Sequence, residues 1–188
     1  MRVIAGQFRS RPLIAPRGLH TRPTSDRLRE TLFNVLAPRL HDSVFLDLYA
    51  GSGAVGIEAL SRGAREAIFV ENADLALRAI RTNLASLAIR GCYALEARSV
   101  HSALKRLSDA RKVVDLVFLD PPYSDSTEYE STLTLLGGDC HQLLAPDAIV
   151  IAEHPKKINL ADSYGALTRY RTLKQGDSIL SFYSPVSK

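Results

Sequence analysis

Leu46-Asp47-Leu48-Tyr49-Ala50-Gly51-Ser52-Gly53-Ala54-Val55-Gly56 decides the fold. It begins as an apolar strand, turns on two glycines, and opens a helix over Ala54–Ser61 that Gly63 closes. Gly51 and Gly53 permit a sharp turn with φ > 0 and a ligand close to the backbone, and Gly56 lets the helix sit against the strand. Downstream the rhythm repeats. Strands are expected at Ala67–Glu71, Tyr93–Arg98, Val114–Leu119 and Ala148–Glu153, with helices at Ala73–Leu87, His101–Leu107 and residues 128–136 between them. The tail changes pattern: Gly165–Leu173 and Ser178–Tyr183, around Gly176-Asp177, predict an antiparallel hairpin. Upstream, Val3–Phe8 and Leu13–Ile14 predict short strands of a hairpin-like arm. Thr24 or Ser25 can then cap a helix over Asp26–Ala37 that Pro38 stops. The expected architecture is α/β: a doubly wound, mostly parallel sheet with an antiparallel C-terminal edge hairpin, preceded by a small basic arm.

With 188 residues, 46% apolar residues and a net charge of +4, the chain can bury one sizeable core and is not expected to be disordered. No apolar run is long enough for a membrane span, and the first residues hold no secretory h-region. Cys92 and Cys140 stand in no metal or redox spacing, and the five histidines in no ligand spacing. No metal is therefore expected, and a cytoplasmic location is. The charge is uneven. Residues 1–39 carry eight arginines against Asp26 and Glu30, a net of +6, and the rest of the chain is net −2. A solvated basic face is one explanation of such an end. A phosphate-binding footprint is the other, since the planar arginine fork grips phosphate through two parallel hydrogen bonds. The chain divides by charge into a basic arm with its capping helix, residues 1–39, and a second domain, residues 40–188.

A G-x-G-x-x-G turn with an acid twenty residues on, here Glu71, also fits a dinucleotide site. Asp47 shifts the balance: a carboxylate beside the turn opposes a pyrophosphate and suits a cationic ligand. S-adenosylmethionine carries a sulfonium and an ammonium and no phosphate, and the Glu71 carboxylate can accept both hydroxyls of its ribose. A turn-capping role for Asp47 is the plain alternative.

Asp120-Pro121-Pro122-Tyr123 follows the fourth strand at the end where ligands of open α/β sheets bind. An exocyclic amine on a planar base is a poor nucleophile because its lone pair is delocalised into the ring. Two fixed acceptors help by holding both N–H bonds and aiming the nitrogen at an incoming methyl group. The Asp120 carboxylate and the Pro121 carbonyl can be that pair, since Pro121 and Pro122 fix φ and contribute no competing donor. Tyr123 offers a ring on which the base can stack.

In combination these segments resemble the class I S-adenosylmethionine-dependent amino-methyltransferases, and more narrowly the RsmD family, which methylates N2 of a guanine in 16S ribosomal RNA. The resemblance rests on Arg22-Pro23-Thr24-Ser25-Asp26-Arg27 with Arg29–Asn34, on Leu46–Ala64, on Asp120–Tyr123 and on Gly176-Asp177-Ser178. It implies a Rossmann-like methyltransferase sheet with S-adenosylmethionine as cofactor. Asp47, Tyr49, Ala50, Gly51, Ser52, Gly53 and Gly56 would line the cofactor, with Asp47, Gly51 and Gly53 at its methionine end and Glu71 on its ribose. Asp120, Pro121, Pro122 and Tyr123 would handle the guanine. Arg9, Arg11, Arg22, Arg27 and Arg29 become candidates for RNA phosphates. Arg98-Ser99-Val100 stands where the family commonly has Asp or Asn followed by Ala to read the adenine amine, so Ser99 and Val100 take that assignment. Ala5-Gly6 and Arg9-Ser10-Arg11 likewise depart from the family's paired glycine and Arg-Gly-Arg. The implied partner is ribosomal RNA or the small subunit, with no membrane, no metal and a monomeric protein.

Other readings stay open. A DNA adenine or cytosine amino-methyltransferase can share Asp-Pro-Pro-Tyr but needs a target-recognition segment, for which little chain is left. Protein-glutamine methyltransferases usually place Asn at the position of Asp120. A non-catalytic RNA-binding protein could retain the fold. An NAD-linked dehydrogenase is disfavoured by Asp47 and by the lack of a Tyr-x-x-x-Lys pair.

Overall fold

The computed structural model describes residues 1–16, 25–122 and 126–186. The chain divides into two compact units, Met1–Arg98 and Ser99–Lys188. This division follows packing, whereas the division at residue 39 follows charge.

In the first unit, α1 (Asp26–Leu40) precedes β1 (Val44–Leu48), α2 (Ala54–Ser61), β2 (Glu66–Glu71), α3 (Asp74–Ser86) and β3 (Tyr93–Ala97). The strands lie in the order β3-β2-β1 and pair in parallel, with Asp47 opposite Phe69 and Glu71 opposite Ala97. Every residue of β1 is buried, as expected of a parallel strand covered on both faces. Ser25 caps α1, its Oγ accepting from Leu28 N–H at 3.2 Å; Thr24 lies outside the described residues. Pro38 does not stop α1, which runs on to Leu40. A proline two residues from the end of a helix forfeits a single backbone bond, and Leu36 and Leu40 are buried on either side of it. The helix ends where His41 turns extended and Asp42 takes φ +60°.

Residues 1–16 of the arm form no strand. A single antiparallel bridge, Arg2 with Pro12, closes it, because Gly6 at φ +80° and Ser10 at φ +66° turn the chain out of extension. Val3 and Leu13 donate across the arm to Arg11 O and Met1 O, and three further donors go to side chains of α2. Ile4 and Ala5 donate to the two oxygens of Glu58 at 2.7 and 3.0 Å, and Phe8 donates to Ser61 Oγ at 3.0 Å. Val3 and Leu13 are buried among Ile57, Leu60, Phe69, Ile80 and Leu84, and each such side chain contributes about 1.5–3 kcal/mol. The arm is thus packed onto α2 and α3.

In the second unit, α4 (Val100–Asp109), β4 (Val114–Leu119), α5 (Ser126–Gly137) and a 3-10 turn (His141–Leu143) lead to β5 (Leu144–Pro155), β6 (Ser163–Tyr164), β7 (Leu167–Gln175) and β8 (Ser178–Pro185). The order is β4-β5-β8-β7-β6, with β4 and β5 parallel and the remaining pairs antiparallel. Gly176-Asp177 is the turn of the β7–β8 hairpin, as expected. β5 is longer than the predicted Ala148–Glu153. An irregularity between Val114 and Leu116 lets its beginning, Leu144, pair with β4, while its end pairs with β8 as far as Pro155.

Candidate active site

The turn after β1 is held in an uncommon conformation. Tyr49, Gly51 and Gly53 take φ of +60°, +56° and +76°. For tyrosine this region costs on the order of 1–3 kcal/mol and persists only where its surroundings dictate it. Here Ala50 N–H donates to Val70 O at 3.0 Å and Gly53 N–H to Ala50 O at 2.7 Å. Among the described residues a Cβ on Gly51 would meet only Tyr49 O, at 3.9 Å, so this glycine serves the backbone conformation. Gly56 has a different reason: a Cβ there would lie 2.4 Å from Phe69 Cε1 of β2, which is the close helix–strand packing expected of the third glycine.

Two carboxylates hold this turn. Asp47 is 1% exposed, and its Oδ2 accepts from Gly56 N–H at 2.8 Å, so it ties the turn to the first coil of α2. Burial pushes its carboxyl up to about 8; the Gly56 N–H opposes the shift and the Glu71 carboxylate adds to it. Glu71, at the end of β2, accepts from Gly51 N–H at 2.8 Å through one oxygen, and from Asn72 and Ala73 N–H at 2.8 and 2.9 Å through the other. Asp47 is therefore reluctant to ionise unless a cation lies beside it, which makes the turn suited to a cation.

At the end of β4, Asp120 is half-buried, Pro121 buried and Pro122 exposed. Tyr123 lies outside the described residues. Ser99 is the N-cap of α4, its Oγ accepting from Ser102 N–H at 3.3 Å. It is exposed, and Val100 turns into the core. Near the end of β5, His154 is buried, with Nε2 2.9 Å from Ser181 Oγ and its ring edge-on to Tyr129. Burial holds its basicity below the usual range. It is a packing residue.

The candidate RNA arginines separate. Arg9, Arg11 and Arg27 are exposed, and Arg11 donates to Ser86 O at 3.0 Å. Arg22 lies outside the described residues. Arg29 is corrected: at 0% exposure it donates to Asp26 Oδ1 and Arg2 O, each at 2.8 Å, and lies 3.9 Å from Glu58. A phosphate cannot reach it, and its role is to anchor the arm. Among the described residues no group of His, Cys, Asp and Glu could hold a metal ion, and no helix is long and apolar enough to cross a membrane. Glu58, Ser61 and Asn83 were not expected at all. The signal for Glu58 is a carboxylate amid Ala54-Val55-Gly56-Ile57-Glu58-Ala59-Leu60, a helix apolar all round. For Asn83 it is an amide on the buried stripe of α3 that carries Ala76, Ile80 and Leu84.

A family model described as conserved hypothetical protein 95 matches residues 1–184. The chain is 41% identical over 154 residues to "Ribosomal RNA small subunit methyltransferase D" of Escherichia coli (strain K12), which covers 81% of this chain and 74% of that protein. The chain belongs to the RsmD family. The solved structure of yhhF from Escherichia coli matches this RsmD-family chain with a TM-score of 0.84 and 34% identity, covering 100% of this chain and 99% of that one. The fold is the α/β Rossmann-like methyltransferase fold, mostly parallel with antiparallel C-terminal strands. A more distant structure, SMU.776 complexed with SAH, is 14% identical with a TM-score of 0.66 over 83% of this chain and 49% of that one, and shares the fold alone.

Proposed function

We propose that this RsmD-family methyltransferase transfers a methyl group from S-adenosylmethionine to the exocyclic N2 amine of a guanine in 16S ribosomal RNA, acting in the cytoplasm on the RNA or the small subunit. The observation that carries the cofactor assignment is the acid-flanked glycine turn. Asp47 is buried and reluctant to ionise without a positive partner, and among the described residues nothing crowds the position of a Gly51 Cβ closer than 3.9 Å. These residues fit the methionine end of a sulfonium ligand and oppose a dinucleotide. Bound there, S-adenosylmethionine supplies an electrophilic methyl carbon.

The chain's own residues do the rest. Asp47 holds α2 against the turn and gives up its proton once a cation lies beside it. Glu71, while bridging Gly51 and Asn72–Ala73, retains one lone pair, on Oε2, that can accept from a ribose hydroxyl. Ser99 spends one lone pair on its helix cap and can offer another to an adenine amine. The Asp120 carboxylate and the Pro121 carbonyl accept the two N–H bonds of the guanine amine, and Tyr123 stacks on its ring. No residue removes a proton beforehand, because the amine becomes acidic only as the new C–N bond forms. Asp120 is then placed to take that proton. Extruding the base costs a few kcal/mol in a helix and less in a loop, so an unpaired or junction guanine is the expected target. Arg9, Arg11, Arg22 and Arg27 supply phosphate contacts.

The test is to incubate the protein with methyl-labelled S-adenosylmethionine and small subunits from cells lacking it, then digest the RNA to nucleosides. Label in N2-methylguanosine supports the proposal. Label in another nucleoside, or none in RNA, refutes it.

A further inference from the structure

Asn83 lies on α3, 1% exposed, and the three side-chain hydrogen bonds it makes among the described residues all leave its own helix. Its Oδ1 accepts from Ile14 N–H at 2.8 Å, and its Nδ2 donates to Ile14 O at 3.0 Å and to Ser52 O at 2.9 Å. The first two grip both backbone groups of the residue at which the arm leaves its bridge. The third holds the middle of the Gly51-Ser52-Gly53 turn. The other end of the arm meets the same residue, with Ser52 Oγ 3.8 Å from Met1 Sδ and Leu13 N–H donating to Met1 O at 2.9 Å. Arm and turn therefore share one buried amide whose two donors are both used.

We infer that Asn83 is a positioning residue that makes cofactor binding and RNA binding strengthen one another, by transmitting the position of the arm to the glycine turn. The inference rests on the assignments above, of the cofactor to the turn and of RNA to the arm. Hydrogen bonds from one rigid amide cannot be adjusted separately. A displacement of Ile14 rotates the Asn83 amide and moves Ser52 O, and a turn fixed by cofactor presents the amide in the orientation that Ile14 requires. RNA that immobilises Arg9 and Arg11 therefore fixes the turn in advance, and the ordering cost the cofactor would otherwise bear falls. Thermodynamic linkage makes the effect reciprocal: cofactor must tighten RNA binding by the same factor.

The experiment measures binding of S-adenosylhomocysteine to the full-length protein by calorimetry, with and without saturating small-subunit RNA. The same is done for Asn83→Ala and Asn83→Asp; the aspartate keeps the acceptor for Ile14 and loses both donors. For the unmodified protein RNA should lower Kd by about tenfold, a typical coupling between two sites. In both variants that ratio should fall to within twofold of one, which a merely structural contribution to folding would not bring about. Variants that retain the tenfold ratio would overturn the inference. So would an unmodified protein that methylates RNA yet shows a ratio of one, a result that needs no variant to fold. Failure to methylate RNA at all would instead strike at the proposed function.

Discussion

Replacing Asp47 with asparagine should move stability and cofactor affinity in opposite directions. The carboxyl, ordinarily near 3.8, is pushed up to about 8, mainly by burial. Across that window the folded state keeps a proton that the unfolded state has released, so wild-type stability falls as pH rises from about 4 to about 8 and then levels off. At about 1.4 kcal/mol per pH unit, the full swing is on the order of 5 kcal/mol. The Asp47→Asn variant would escape it. The carbonyl of the new amide can still accept from Gly56 N–H, so the bond now 2.8 Å long is kept, and only the charge is lost. Urea denaturation at pH 5, 7 and 9 should show the variant gaining on the wild type as pH rises, with a lead of several kcal/mol at pH 9. Calorimetry at pH 8 should show S-adenosylmethionine binding weakened by roughly 10- to 100-fold, the worth of one hydrogen bond or contact to a charged group. A stability difference that is flat with pH would refute the burial argument. Cofactor affinity within twofold of wild type would refute the view of Asp47 as the cation's partner.

Gly56→Ala should destabilise the protein by about 1–3 kcal/mol, measured by denaturant unfolding, because the added Cβ meets Phe69 at 2.4 Å. Arg29→Met should cost about 1.5–3 kcal/mol by removing the buried guanidinium's hydrogen bonds to Asp26 and Arg2 O, Glu58 keeping Arg62 as its partner; the slope of log K for RNA against log salt should stay unchanged. Arg9→Ala and Arg27→Ala, at exposed positions, should show the reverse, with stability retained and that slope reduced by about one each in filter-binding titrations.

The core of the fold was legible because its strands are continuous apolar runs bounded by glycine and polar turns. β4 falls at the residues that hydrophobicity marks, Val114–Leu119. Where tertiary contacts outweigh local preference, the sequence misled. Pro38 is a helix breaker by its own chemistry, yet Leu40 holds the last residues of α1 in place. Val3–Phe8 is mostly apolar and reads as a strand, but Ile4, Ala5, Gln7 and Phe8 donate to Glu58 and Ser61, partners more than fifty residues away that no local pattern reveals. The same distance hid Asn83, whose role exists only once residues 14 and 52 are brought to it. Arg29 misled for a related reason: charge counting treats every arginine as a surface group, and only the fold shows which one is buried. The glycine turn was legible because conformation dictates its residues, with Gly51 and Gly53 at positive φ and Gly56 against Phe69. Tyr49, at φ +60° without a glycine's freedom, gave no sign in the sequence.

In the proposed reaction an unactivated amine reacts because Asp120 and the Pro121 carbonyl hold it in line with the methyl donor. Single-turnover methyl transfer by Asp120→Ala, with saturating S-adenosylmethionine and small-subunit RNA, tests this most directly. The rate constant should fall by three orders of magnitude or so, roughly 4 kcal/mol of positioning and electrostatic stabilisation, while both ligands bind as tightly as before. A variant that still transfers methyl within tenfold of the wild-type rate would contradict it.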